Sequence, residues 1–272
     1  LLHQILKTYM NKFEQLGLSE SLQRAIKDLG FENPTEVQEK AIPLLLEKDT
    51  DLVALAQTGT GKTAAFGFPV IQKIDANNRN TQALILSPTR ELCLQITNEL
   101  KNYSKYEKGI NVVAVYGGAS ITEQARDIKR GAQIIVATPG RMQDMINRGL
   151  VNISQINYCI LDEADEMLNM GFYEDIVNIL STTPDEKSTW LFSATMPAEV
   201  ARIGKQFMSN PLEITVGTKN SGSATVSHEF YLVNARDRYE AMKRLADANP
   251  DIFSVVFCRT KRDTQAVAEK LI

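Results

Sequence analysis

Histidine is nearly absent from this chain of 272 residues: His3 and His228 are the only two. Both read as incidental surface residues, so histidine-dependent catalysis and zinc hydrolysis have little to work with. Cysteine is almost as sparse. Cys93, Cys159 and Cys258 lie far apart, in no metal spacing and no disulfide framework, which sets the expectation of a reducing, cytoplasmic location. Long apolar runs are missing too. The longest, AIPLLL at 41–46, is interrupted by Pro43 and falls well short of the ~18 residues of a membrane span. The opening LLHQILKTYM lacks the basic start and continuous apolar stretch of a signal peptide. Nor is there an excess of positive charge. A net charge of −3 means that any nucleic acid would be held by a local patch rather than by the field of the whole molecule.

What is present is the composition of an ordinary globular protein, 43% hydrophobic and 23% charged, long enough for about two domains. Short β-branched runs occur at 51–56 (DLVALA), 82–87 (QALILS), 111–117 (NVVAVYG), 132–138 (AQIIVAT), 156–161 (INYCIL), 188–194 (STWLFSA) and 212–217 (LEITVG). Stretches with helical periodicity, such as TRELCLQITNELKNYS and EVARIGKQFM, separate most of them. This alternation predicts an α/β fold with a largely parallel sheet covered by helices on both faces. A polar, glycine- and serine-rich stretch, VGTKNSGSAT at 216–225, then reads as a linker. The pattern restarts beyond it as strand SHEFYLV, a helix, strand FSVVFC and a last helix. There is no internal repeat.

Two local features carry chemistry. The stretch AQTGTGKT at 56–63 follows one predicted strand and opens a helix. Gly59 and Gly61 let backbone N–H groups turn inward as an anion nest, Lys62 can reach terminal phosphates, and the Thr63 hydroxyl can ligate Mg²⁺. The general phosphate-loop pattern wants glycine where this chain has Ala56, and a lone G-K-T could equally be a glycine turn. The second feature is NYCILDEADEML at 157–168, with Asp162, Glu163, Asp165 and Glu166 directly behind an apolar run. Asp165 and Glu166 suit the first turn of a helix. Asp162 instead sits at the carboxyl end of a buried strand, where open α/β sheets bind ligands. An acid there can share Mg²⁺ with the loop hydroxyl, while Glu163 orients the water attacking a γ-phosphate.

With these features in place, the sequence resembles the DEAD-box family of ATP-dependent RNA helicases, Asp162-Glu163-Ala164-Asp165 being the naming motif. The resemblance runs from residue 13 to 262, and alanine at the head of the phosphate loop is the usual form there. GFENPTEVQ (30–38) resembles the family's Q motif, so Phe31 would stack on adenine and Gln38 would read its edge with both amide groups. Phe13 matches the isolated upstream aromatic, and Thr35, Gln57, Thr58, Gly59, Thr60, Gly61, Lys62 and Thr63 complete the implied ATP contacts. Pro88-Thr89-Arg90, Gly117-Gly118 and Thr138-Pro139-Gly140-Arg141 match segments that hold an RNA backbone without sequence preference. Ser193 and Thr195 of SAT would hydrogen-bond toward Asp165 and couple hydrolysis to strand separation. VVFCRTKR (255–262) resembles the first motif of a second domain. Taken singly, PTREL is a proline-started helix, GG and TPGR are turns, and Phe13 and Phe31 are core residues. Eight such segments in the family's order are a different matter.

The resemblance implies a RecA-like P-loop fold with ATP and Mg²⁺ as cofactors, and catalytic roles for Lys62, Asp162, Glu163, Asp165, Ser193 and Thr195. Thr63 and Asp162 would be the metal ligands. It also implies RNA as partner, no membrane, and a monomer whose protein partners are unknown. The expected domains are a leader at 1–12, an ATP-binding domain at 13–216, a linker at 217–224 and the start of a second RecA-like domain at 225–272. The family's later arginine-bearing motifs do not occur, which sets the expectation of a piece of a longer helicase, inactive alone in unwinding. Two other readings stay open: an RNA clamp gated by nucleotide that binds without unwinding, and a P-loop ATPase acting on DNA. The Q motif and the fully spelled DEAD argue against the latter.

Overall fold

Strands that are apolar on both faces need cover on both faces. The computed structural model describes residues 12–217, 227 and 229–271. The expected leader up to residue 11, His3, His228 and all of the expected linker but Gly217 lie outside them. The chain divides into two compact units, Leu1–Gly222 and Ser223–Ile272.

In the first unit a 3-10 turn at Glu14–Leu16 leads into α1 (Glu20–Asp28) and α2 (Glu36–Glu47). Then follow β1 (Leu52–Leu55), α3 (Lys62–Lys73), β2 (Ala83–Leu86), α4 (Arg90–Tyr103), β3 (Val112–Val115), α5 (Ile121–Lys129), β4 (Ile134–Ala137) and α6 (Pro139–Asn147). After these come β5 (Tyr158–Asp162), α7 (Ala164–Asn169), α8 (Tyr173–Leu180), β6 (Ser188–Ser193), α9 (Ala198–Phe207) and β7 (Leu212–Thr215). Each of the seven runs read as strands in this unit forms one, with ends within two residues of the expectation.

The strands make a single sheet in the order β3-β4-β2-β5-β6-β1-β7, every neighbouring pair parallel. Side chains alternate between its faces, as a period of two requires. Leu52 and Ala54 of β1 pack in the cluster that contains Leu22, Val37, Phe66 and Ile96 from α1, α2, α3 and α4. Val53 and Leu55 pack in the opposite cluster, with Met142, Met167, Ile176 and Val200 from α6, α7, α8 and α9. The lone tryptophan, Trp190 on β6, is fully buried and its indole N–H donates to the Thr50 carbonyl at 3.1 Å. All crossovers deliver the chain to the same sheet rim. The loops leaving β1, β5 and β6 carry the candidate nucleotide groups, and those leaving β2, β3 and β4 carry the candidate RNA groups. Each set comes from three consecutive strands.

The second unit corrects one expectation. Its described residues form α10 (Arg238–Ala248) and α11 (Lys261–Leu271), but 229–233 and 253–258, which read as strands, form none. A strand exists only when its main chain is paired, and two short runs with two helices are too few to enclose a core. Their apolar side chains accordingly lie open: Phe230 is 85% exposed and Phe253 fully so.

Candidate functional site

The turn from β1 into α3 is built on two glycines in the left-handed region, Gly59 (φ 78°) and Gly61 (φ 88°). At Gly61 a second constraint applies, because an added Cβ would collide with Gln38 Nε2 and press on Thr35 Oγ1. Gln38 is the third residue of α2. Its Oε1 accepts from the Thr35 N–H at 3.0 Å, and its Nε2 donates to the Gly61 carbonyl at 3.1 Å. The helix start and the phosphate-loop turn are therefore stitched together by one amide. That amide keeps a further lone pair and a further N–H, since it has two of each.

Lys62 opens α3 and is 5% exposed. Its Nζ lies 3.0 Å from Glu163 Oε1, an ion pair out of hydrogen-bond alignment, so the buried ammonium has no hydrogen-bond partner. Buried ammonium donors left unpaired are costly and mark a place built for something else. The Thr58 hydroxyl also donates to Glu163 Oε1, at 3.2 Å. Glu163 holds a left-handed backbone at φ 54°, rare for a residue with a side chain and the kind of strain that collects at working sites. Its N–H donates to Asp162 Oδ1 at 3.1 Å. Asp162 ends β5 and is 3% exposed. Burial pushes its carboxyl up to about 7, Lys62 pulling against that shift and Glu163 adding to it.

Asp165 lies in the first turn of α7. The N–H and hydroxyl of Thr195 both donate to its Oδ2, at 2.9 and 2.7 Å, while Ser193 Oγ accepts from its main-chain N–H at 3.2 Å. Burial raises the Asp165 carboxyl, but the bonds from Thr195 and Ser193 outweigh it, and the net pKa falls below the ordinary value. The ends of β5 and β6 are tied together by these bonds.

A cleft of about 480 Å³ lies over the phosphate loop. Phe31, Gln38, Thr58, Gly59, Gly61, Lys62, Thr63, Asp162 and Glu163 all line it. Beyond Ala64 and the Leu92 of PTREL, its remaining wall went unforeseen: Gln95, Glu99, Asn102 and Tyr103 on α4, with Leu29 beside Phe31. No local motif marks these residues. Only their recurrence on one face of a helix next to α3 could have pointed to them. Glu99 is held there by Gln95 Nε2 (2.8 Å) and by the Tyr103 hydroxyl (3.1 Å). Lys62 is the single cation among the lining residues, against the three carboxylates of Glu99, Asp162 and Glu163. A polyanion therefore fits only in company with further positive charge, as a divalent cation supplies.

Phe13 departs from the expectation. It is 2% exposed, does not line the cleft, and packs parallel to Phe31 at 6.4 Å and edge-on to Phe68 at 6.4 Å. An apolar ring with two aromatic neighbours buries itself, so Phe13 backs Phe31 instead of facing the cleft.

On the other half of the rim, Thr89 caps α4 by accepting from the Leu92 N–H at 3.2 Å. The exposed Arg90 stacks its guanidinium over Tyr116, 4.9 Å from the ring centroid. Gly118 (φ 81°) lies directly against it, a Cβ there meeting Arg90 Nη1 at 3.3 Å. Arg141 is not a free cation. Its Nη1 donates to the Ala119 carbonyl (3.0 Å) and to Gln124 Oε1 (3.2 Å), so it braces the loop after β3. Pro88, Thr138 and Pro139 are buried at the loop bases, and Gly140 is exposed.

Comparison with known proteins gives a consistent picture. The family profile described as DEAD/DEAH box helicase matches residues 35–203. The ATP-dependent RNA helicase CshA of Limosilactobacillus reuteri is 49% identical over 263 residues, covering 96% of this chain and 52% of its own length. The ATP-dependent RNA helicase DeaD of Mycobacterium tuberculosis is 42% identical over 259 residues, covering 95% of this chain and 46% of its own. The chain thus spans about half the length of the curated relatives it matches. Among solved structures, a DEAD box protein from the hyperthermophile Methanococcus jannaschii superposes with a TM-score of 0.73 at 43% identity, over 97% of this chain and 70% of that one.

Proposed function

The chain belongs to the DEAD/DEAH box helicase family, and from that premise we propose that it is the ATP-binding core of an RNA helicase. The observation that carries this reading is the buried, unsatisfied Lys62 ammonium beside Asp162 and Glu163, in a cleft whose carboxylates outnumber its cations. A triphosphate satisfies the ammonium, and a divalent cation balances the acids.

In this reading Phe31 and Gln38 receive the adenine, Gln38 through the lone pair and N–H it has left. Thr35 supports it, and the backbone from Gln57 to Gly61 cradles the phosphates. Thr63 and Asp162 would hold Mg²⁺, which would supply neutralisation of phosphate charge there. Lys62 turns from Glu163 to the phosphates, and the released Glu163 carboxylate orients the attacking water. Asp165, Thr195 and Ser193 pass the state of the nucleotide half to neighbouring elements. Arg90, Gly117, Gly118, Thr138 and Gly140 hold an RNA backbone, and Arg141 shapes the loop they share. Residues 13–216 form the ATP-binding domain, 217–224 the linker and 225–272 the start of a second domain. The full-length protein unwinds or remodels RNA as a cytoplasmic monomer.

Calorimetric titration of the purified chain with ATP, with and without Mg²⁺, tests the reading. Saturable binding that strengthens with Mg²⁺ is expected. Binding indifferent to the cation would overturn it.

A further inference from the structure

The open edge of a sheet presents unpaired main-chain donors and acceptors, and proteins usually blunt it with charge or cover. The two edges here are treated differently. On β7, Leu212 and Val216 donate to the Asp51 and Leu55 carbonyls (2.9 and 2.8 Å), so Glu213 and Thr215 face outward. That side is guarded: Lys40 Nζ donates to the outward Thr215 carbonyl at 3.1 Å, and Glu213 is exposed.

On β3, the carbonyls of Asn111 and Val115 accept from Ile134 and Thr138 at the β4 side (3.2 and 2.9 Å), so Val112 and Ala114 face outward. The far end of this open stretch is closed. Gln124 Nε2 donates to the outward Tyr116 carbonyl at 3.0 Å. Short of that closure the half-buried Ala114 presents outward main chain to a groove of about 450 Å³ walled by α4 and α5, Val112 being buried beside it.

The groove is polarised along its length. α4 runs back toward the start of β3, which brings Lys101 of its last turn to that end, and α5 brings its C-cap Arg130 there too. Glu123, in the first turn of α5, lies at the opposite end, with Leu94 on the facing wall and Asp127 between, ion-paired to Arg130 at 3.1 Å. We propose that this groove docks an extended segment of a partner protein, added to the sheet as a strand beside β3. The segment that fits has a basic side chain over Glu123, β-branched side chains along the middle and an acidic side chain over Lys101, near the Arg130–Asp127 pair. Main-chain bonds to Ala114 supply affinity, and the charged ends supply specificity. The docked strand ends beside Tyr116 and Ala119, the groups that Arg90 and Arg141 hold. The docking itself does not depend on what the nucleotide cleft binds.

A labelled short peptide of alternating valine and threonine, with lysine at one end and glutamate at the other, is titrated against the chain by fluorescence anisotropy. Saturable binding is expected. Ala114→Pro removes an outward N–H that no ladder bond uses, and should weaken binding about tenfold or more while the far-ultraviolet circular dichroism stays unchanged. Lys101→Glu with Arg130→Glu should reduce affinity for this peptide and raise it for one with lysine at both ends. Equal affinity in wild type and Ala114→Pro, or no swap of peptide preference on charge reversal, would overturn the proposal. So would sedimentation showing that a second copy of the chain, and not the peptide, occupies the edge.

Discussion

Lys62 Nζ and Glu163 Oε1 face each other at 3.0 Å across the loops that leave β1 and β5. The pair holds two groups in reserve, Lys62 buried without an aligned acceptor and Glu163 half-buried beside it. Lys62→Ala should therefore cut ATP–Mg²⁺ affinity by about ten- to a hundredfold, the range for losing a charged hydrogen bond of ~1.5–3 kcal/mol. Folding should survive, because the side chain packs into no apolar cluster. Calorimetry alongside a thermal melt checks both halves of this expectation.

Gly61 and Gln38 form a second coupled pair. Gly61→Ala should destabilise by ~1–3 kcal/mol through backbone strain and also push Gln38 off the loop. Gln38→Ala should narrow the preference for ATP over GTP, since a site built to hydrogen-bond one base leaves groups unpaired with another. Competition binding with the two nucleotides measures the gap. A wild-type chain with no preference would refute the adenine assignment.

The two arginines of the other rim half should behave differently. Arg90→Ala should weaken RNA binding evenly across sequences and lower its salt slope by about one per lost phosphate contact, leaving the melting temperature unchanged. Arg141→Ala should lower the melting temperature as well, because Ala119 and Gln124 lose their donor. Salt-dependent anisotropy with labelled single-stranded RNA, paired with melts, separates the two.

Thr195→Val, nearly isosteric, removes the 2.7 Å hydroxyl bond to Asp165 and keeps the main-chain one. The Asp165 carboxyl should then rise from its depressed value toward the ordinary one. A depressed folded pKa stabilises at pH above the unfolded value of 3.8, and the benefit is lost as pH falls through the folded pKa. The wild type should accordingly melt higher than Thr195→Val at neutral pH, and the difference should shrink in acid. Carboxylate NMR titration and melts across that range give the answer.

Much of the first unit was legible in the sequence because its strands are buried on both faces, and such runs announce themselves by β-branched residues alone. Val112–Val115 and Ile134–Ala137 are examples. The same signal misled at 253–258, where FSVVFC has the right residues and, among those described, no paired neighbour. Composition encodes a preference for pairing and says nothing of whether a partner strand is present. Within the site, residues that act through a local turn could be located by spacing: Gly59, Gly61, Lys62, Asp162 and Glu163 share one cleft. Those whose position depends on packing could not. Phe13 turned inward behind Phe31, Arg141 became a brace, and the α4 wall of Gln95, Glu99 and Asn102 carried no motif.

The strand order makes the sheet rim a ruler. Six neighbouring strand ends, β3-β4-β2-β5-β6-β1, are five spacings of ~4.8 Å, about 24 Å in all. The proposed RNA half occupies two of those spacings, about 10 Å, which matches about three stacked nucleotides at ~3.4 Å each. In that proposal one strand end serves roughly one nucleotide. The boundary between the halves is the single hydrogen-bonded step from β2 to β5. A change of register there would move both proposed sites at once, so the spacing between them is set by the pitch of the backbone and cannot be adjusted one side chain at a time.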